Sequence, residues 1–262
     1  MTLVRDCERQ RFVSGAMVGQ ETEENQKEIA MDVAWFLSQR VNFIRQLHRD
    51  ATAPFVERMR LNEAGEAPFE PPYSEDGEPP YLDEWLEASD SVQVLGHSCV
   101  SMLAGALHVY FKTWERNVGL KIKPKERGSL FKNGWLHGYG AAFANAIGVN
   151  IEDSGADLGL LEQLVLARNR VQHPVSLIHN TPTHAVQDLQ KHPSPFFLAD
   201  HERDLLARVV SNGLDEDFKW IIEPSISVDA EKLNAVLDEV ERLAGWFDKA
   251  CFEWLYGRAG RG

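Results

Sequence analysis

Hydrophobic positions along this chain repeat mostly in steps of three and four, the spacing of one face of an α-helix. Ile29, Val33, Phe36, Leu37, Val41, Ile44 and Leu47 mark a first helix, which the acids after Thr22 would open. Val92, Leu95, Cys99, Met102, Ala106, Val109 and Thr113 mark a second, from near Asp83 to near Gly119, with Leu103, Leu107 and Tyr110 widening its stripe. Residues 133–147 read as a third helix, rich in small residues (Gly138, Gly140, Ala141, Ala142, Ala144, Ala146), which let helices approach closely. A fourth runs from about Asp157 to Gln172. A last helix takes Asp229 as N-cap and carries Leu233, Val236, Val240, Leu243, Phe247, Cys251 and Trp254 on one face.

Between these elements the pattern breaks. Residues 53–81 hold six of the twelve prolines, with Gly65 and Gly77, and predict a long loop over about 53–82. Pro174, Pro182, Pro193 and Pro195 interrupt residues 174–200. Residues 218–228 alternate like a strand, but Pro224 limits them to an edge hairpin at most. Residues 1–20 lack a period and read as an N-terminal arm. Residues 257–262 read as a frayed tail. The expected fold is all-α: one antiparallel bundle of four or five helices over residues 21–256, with a Pro-rich excursion.

Composition changes this picture in two places. The chain has 262 residues and a formal charge of −13, which by itself opposes nucleic-acid binding. Ten of its 40 acids fall between Leu61 and Phe111, where there is no Lys or Arg. Without them 30 acids face 27 bases, a charge of −3. The opposite bias follows directly. Lys121, Lys123, Lys125, Arg127 and Lys132 lie close together, opposed only by Glu126, and form a basic stripe suited to a phosphate backbone. The three cysteines, Cys7, Cys99 and Cys251, have no metal or redox spacing and suit a reducing cytoplasm. No apolar run is read as approaching a membrane span, so no membrane partner is expected.

The densest chemistry is Arg168-Asn169-Arg170-Val171-Gln172-His173, followed by Pro174. Arg168 falls beside Leu161 and Leu164 on the apolar stripe, where a guanidinium needs a partner or an arriving anion. Asn169 and His173 are four apart, so the amide can orient the imidazole. Pro174 disfavours helical geometry at His173, placing it at the negative end of the helix dipole. An imidazole there can exchange protons with a ribose hydroxyl or a leaving oxygen. A fixed arginine beside it can hold the charge of a pentacoordinate phosphate. That chemistry requires neither metal nor cofactor.

At these residues the chain resembles the HEPN family, whose motif is an arginine, four to six residues and a histidine, with a polar residue favoured after the arginine. The longer string Leu161-Glu-Gln-Leu-Val-Leu-Ala-Arg-Asn-Arg-Val-Gln-His-Pro174 strengthens the likeness. The resemblance covers about residues 83–256. It implies a four- or five-helix bundle with the motif at the end of a late helix, and a metal-independent endoribonuclease of toxin–antitoxin or other prokaryotic defence systems. It also implies a homodimer in which two motifs face one cleft, with RNA as substrate and an antitoxin or defence-system protein as partner. Arg168 and His173 would be catalytic and Asn169 supporting. The basic stripe, with Arg170, would guide RNA. Some members carry a tyrosine two residues after the histidine, the target of a nucleotidyltransferase antitoxin; here that position is Val175.

Rival readings rest on other residues. The same fold can serve as a non-catalytic nucleotide- or RNA-binding module. A metal-dependent hydrolase would draw on His173, His179, His184, His192 and His201 with Asp188 and Asp200, though their spacing fits no fixed ligand pattern. An all-α nucleotide pyrophosphatase would use paired acids such as Glu84 with Glu87 and Asp238 with Glu241, which the periodicity places on solvated faces. His97, His108 and His137 read as packing residues within helices, and Trp135 and Trp220 as buried aromatics that can flank a groove.

Overall fold

The computed structural model describes residues 33–70, 80–173, 181–203 and 224–259. They are mostly helical, with no strand among the described residues, so the all-α expectation holds. Helix α1 spans Val33–Ala64, α2 Leu82–Asn117, α3 Pro124–Leu130 and α4 Trp135–Ile147. A 3-10 turn over Ile151–Ser154 leads to α5, Leu158–Gln172, then α6, Val186–Lys191, and α7, Ala230–Ala259. The N-terminal arm and the first turns of the expected first helix lie outside the described residues.

Helix α1 corrects the expected loop. It continues through Pro54 to Ala64, so residues 53–64 are helical rather than part of an excursion. A proline inside a helix removes one hydrogen bond and crowds the carbonyl four residues back. Contacts on both sides of Pro54 hold the helix here. Before it, Arg45 binds Asn234 at 2.7 Å and Asp238 at 2.8 Å, both on α7. After it, Trp85 Nε1 donates to Glu63 at 2.8 Å, Asn62 donates to the Tyr81 carbonyl at 2.7 Å, and Arg58 pairs with Glu87. Glu87, Asp238 and Glu241 bind arginines of α1, and Glu87 and Asp238 are exposed, in keeping with the solvated faces expected for them.

Helix α2 is the central element, and it packs on α1, α4, α5 and α7. Its buried face is Cys99, Val100, Leu103, Leu107, Tyr110, Phe111 and Trp114, rotated away from the stripe of Met102, Ala106, Val109 and Thr113. The ring side chains decide this choice, since they carry the larger apolar area. Phe111 stacks on Tyr139 of α4 at 5.5 Å and meets Phe247 of α7 edge-on at 5.2 Å. Trp114 Nε1 and the Tyr110 hydroxyl both reach the buried Asp248 carboxylate, at 2.8 and 3.0 Å. The second stripe instead lines an open cavity of about 690 Å³ with Val33, Phe36 and Leu37 of α1. Contrary to expectation, α2 is long and apolar enough by length and composition to cross a membrane; half of its most apolar window is buried in the protein.

Gly138 and Gly140 of α4 admit side chains from the segments that flank the helix. A Cβ on Gly138 would lie 2.6 Å from the Phe131 ring, and one on Gly140 would lie 2.6 Å from Ile151. Helix α5 opens as expected, with Asp157 accepting from the Leu160 amide at 2.9 Å. Asp229 caps α7 in the same way, accepting from the Lys232 amide at 2.7 Å. Before α7 the chain makes isolated bridges, Ser225 to Thr183 and Ile226 to Leu198, and no hairpin among the described residues. Residues 257–259, expected to fray, continue α7.

Candidate functional site

Helix α5 is held by its buried face, Leu160, Leu161, Leu164, Val165 and Ala167, while its last turns emerge from the core. Arg168 sits half-buried at that edge, one turn after Leu164. Its Nη1 donates to the Asn169 side-chain oxygen at 2.9 Å. Asn169 therefore positions the guanidinium rather than the imidazole. What reaches His173 from Asn169 is the backbone: the His173 N–H donates to the Asn169 carbonyl at 3.1 Å. His173 is the C-cap, with φ −127° and ψ 67°, outside helical geometry as Pro174 demands. Its side chain is exposed. Among the described residues, neither Arg168 nor His173 has a carboxylate partner. Val175 and His179 lie outside the described residues.

The other expected RNA contacts divide. Arg170 is bound to Asp188 at 3.0 Å, with the two side chains 32% and 15% exposed, so it ties α5 to α6 instead of facing outward. Arg127 donates to Glu115 at 2.5 Å and lies 4.9 Å over the Phe131 ring. Lys123 pairs loosely with Glu126 at 3.4 Å. Lys121, Lys125 and Lys132 are exposed and unpaired among the described residues.

Residues far apart in sequence complete the surroundings of Arg168. On α2, His108, Lys112 and Glu115 follow each other by four and three and so share one edge. Over that edge the His108 ring stacks on Trp135, the first residue of α4, at 4.8 Å and 26°. Tyr139 of α4 donates its hydroxyl to Glu115 at 3.0 Å, beside Arg127 of α3. Arg168 arrives from α5. Desolvation holds the His108 imidazole below its ordinary pKa, and the charges of Lys112, Arg168 and Arg127 add to the effect against the smaller pull of Glu115. Lys112, Arg168 and Arg127 thus lie near enough for their charges to bear on the His108 imidazole, opposed by the single carboxylate of Glu115. His108 and Trp135 were read as packing residues. The only sequence signal for more was the polar spacing 108, 112 and 115.

A second polar knot was not foreseen. Glu162 of α5 lies 3.2 Å from His137 Nε2 and 3.4 Å from His192 Nε2, and Lys191 donates to the oxygen facing His137. Burial opposes its charge, but Lys191 and His137 outweigh that, and the carboxyl is held below its ordinary pKa. The ammonium already supplies the cation that a metal would bring. Among the described residues, no group of three His, Cys, Asp or Glu side chains is placed to hold a metal ion. His184 is buried, with Nε2 2.8 Å from the Phe197 carbonyl, and His201 is exposed. His97, as expected, is a packing histidine, 2.7 Å from the Ile226 carbonyl.

Comparison with protein-family models, with curated proteins and with solved structures finds no match to this chain.

Proposed function

We propose that this protein is a metal-independent endoribonuclease of the HEPN type, acting in the cytoplasm as a homodimer within a toxin–antitoxin or other prokaryotic defence system. The observation that carries the reading is the end of α5. It presents an exposed imidazole at a helix C-cap, five residues from a guanidinium fixed by the intervening asparagine and unpaired with any described carboxylate.

In this reading the ribose 2′-oxygen attacks the adjacent phosphorus and the 5′-oxygen leaves. One His173 takes the 2′-hydroxyl proton, and its counterpart across the two-fold protonates the leaving oxygen. Arg168 holds the charge of the phosphorane, and Asn169 holds Arg168. The products carry a 2′,3′-cyclic phosphate and a 5′-hydroxyl.

The test is cleavage of single-stranded RNA in EDTA by wild type, Arg168→Ala and His173→Ala. Loss of an imidazole acting on protons costs about 10²- to 10⁴-fold in rate. Cleavage retained by both variants overturns the assignment, and a requirement for added metal overturns the metal-independent mechanism. A second reading, an RNA- or nucleotide-binding module, is favoured by the lack of any described group orienting the His173 ring. RNA bound but left intact by the wild-type dimer selects it.

A further inference from the structure

The basic stripe and the motif helix, 36 residues apart from Lys132 to Arg168 in sequence, both meet α2: Arg127 of α3 through Glu115, and α5 by packing on it. Helix α5 packs on α2, which brings Arg168 toward His108. Glu115, on the same edge, fixes Arg127 of α3 at 2.5 Å and the Tyr139 hydroxyl of α4 at 3.0 Å. Trp135 covers one face of the His108 ring. Lys112 lies one turn from His108, exposed and without an ion pair among the described residues.

We propose that Lys112 and Arg127, at the α2 edge shared by His108 and Glu115, form a phosphate-binding subsite that takes the backbone phosphodiester of RNA next to the one held by Arg168. This inference rests on the ribonuclease reading for the identity of its ligand. Its geometry is independent of any role for His173.

Arg127 already has Glu115 as its carboxylate, whereas Arg168 and Lys112 have none among the described residues, so these two cations are open to an arriving anion. The arrangement is also selective in shape. Arg127 is held in place by Glu115 and the Phe131 ring, and Arg168 is held by Asn169, so two planar guanidinium groups are oriented before the ligand arrives. Lys112 is the mobile member, a point charge on a flexible stem. Of the other lysines of the stripe, Lys121 and Lys123 precede α3, Lys125 lies in its first turn and Lys132 follows it, all of them exposed.

The experiment measures binding of a short, 2′-O-methylated, labelled RNA, which cannot be cleaved, by fluorescence anisotropy across a salt series. The proteins are wild type, Lys112→Ala and, as a surface control, Lys249→Ala, whose lysine is exposed on α7. Lys112→Ala should weaken binding about threefold to tenfold and lower the salt slope by about one. Lys249→Ala should leave both unchanged. Equal effects of the two substitutions, or none from Lys112→Ala, overturn the subsite. So does competition by inorganic phosphate alone with no measurable RNA binding, which would assign the cations to a small anion.

Failure of this inference is separable from failure of the nuclease reading. If Arg168→Ala and His173→Ala abolish cleavage while Lys112→Ala binds as wild type, the subsite falls and the nuclease stands. If wild type never cleaves RNA yet binds it through Lys112, the nuclease falls and the subsite stands.

Discussion

Replacing Gly96 with alanine measures how closely α2 abuts the chain that leads into α7. A Cβ at this position would lie 2.6 Å from the Val228 carbonyl oxygen and 2.8 Å from the Val228 Cβ. The nearest atom is backbone, and Val228 is fully buried, so the neighbour cannot turn aside as a flexible side chain would. Overpacking of this kind costs about 1–3 kcal/mol, and a backbone obstacle puts Gly96 at the upper end. Alanine returns about 1 kcal/mol of helix propensity at an interior position. The expected net loss for Gly96→Ala is therefore about 1–2 kcal/mol. Gly245 on α7 supplies the control, because a Cβ there meets nothing within 4 Å. Gly245→Ala should gain up to about 1 kcal/mol, which separates the two variants by about 2–3 kcal/mol. Urea denaturation followed by far-ultraviolet circular dichroism reads the difference. A Gly96→Ala protein as stable as wild type would refute the close approach of α2 to Val228.

Arg170→Ala should leave RNA affinity within about twofold while lowering stability by about 1 kcal/mol, since Arg170 is bound to Asp188 rather than facing a ligand; a loss of affinity as large as that of Lys112→Ala would return it to the RNA surface. Burial pushes the Cys99 thiol up to about 11 and the Cys251 thiol higher still. Neither should react with iodoacetamide near neutral pH in the folded protein, and both should react in urea, as read by peptide mass mapping. Burial also holds the Asp248 carboxyl above its ordinary pKa, against the hydrogen bonds from Tyr110 and Trp114. The folded state therefore binds the proton more tightly than the unfolded state, and this contribution to stability is lost as pH rises through the folded pKa. Asp248→Asn keeps an acceptor without the charge, so its thermal midpoint should gain on wild type between mildly acidic and neutral pH. A variant that instead loses ground to wild type over that range would refute the sign.

Much of the helix layout follows from apolar spacing, and its failures have physical causes. Residues 53–64 looked like a loop because Pro54 weakens a helix locally. They stay helical because Glu63, Asn62 and Arg58 are bound to α2, contacts that no local pattern encodes. In α2 two apolar stripes run side by side, and periodicity favoured the one with the more regular steps. Ring size decided otherwise: Tyr110, Phe111 and Trp114 pack against α4 and α7, and the regular stripe faces a cavity. The small residues of α4 were legible as a sign of close approach. Which group would come close was not, because Phe131 and Ile151 belong to connections whose path is set by tertiary packing.

The candidate site divides along the same line. Arg168, Asn169 and His173 are neighbours in sequence on one helix end, so their type and spacing could be read directly, including the departure from helical geometry that Pro174 imposes. Their pairing could not. Spacing allowed Asn169 to reach His173, but the guanidinium beside it is the stronger donor and takes the amide oxygen. Arg170 belonged to the basic surface by charge alone, until Asp188 from α6 claimed it. Lys112 and His108 sat within a helix read for its apolar face, and their polar edge gained meaning only when α3, α4 and α5 closed over it. A charge in a sequence is therefore a candidate contact only until its partners are known. Arg168 and Lys112, like Lys121, Lys125 and Lys132, have no carboxylate partner among the described residues, and it is the closing of other helices around the first two that singles them out for the proposed phosphate contacts.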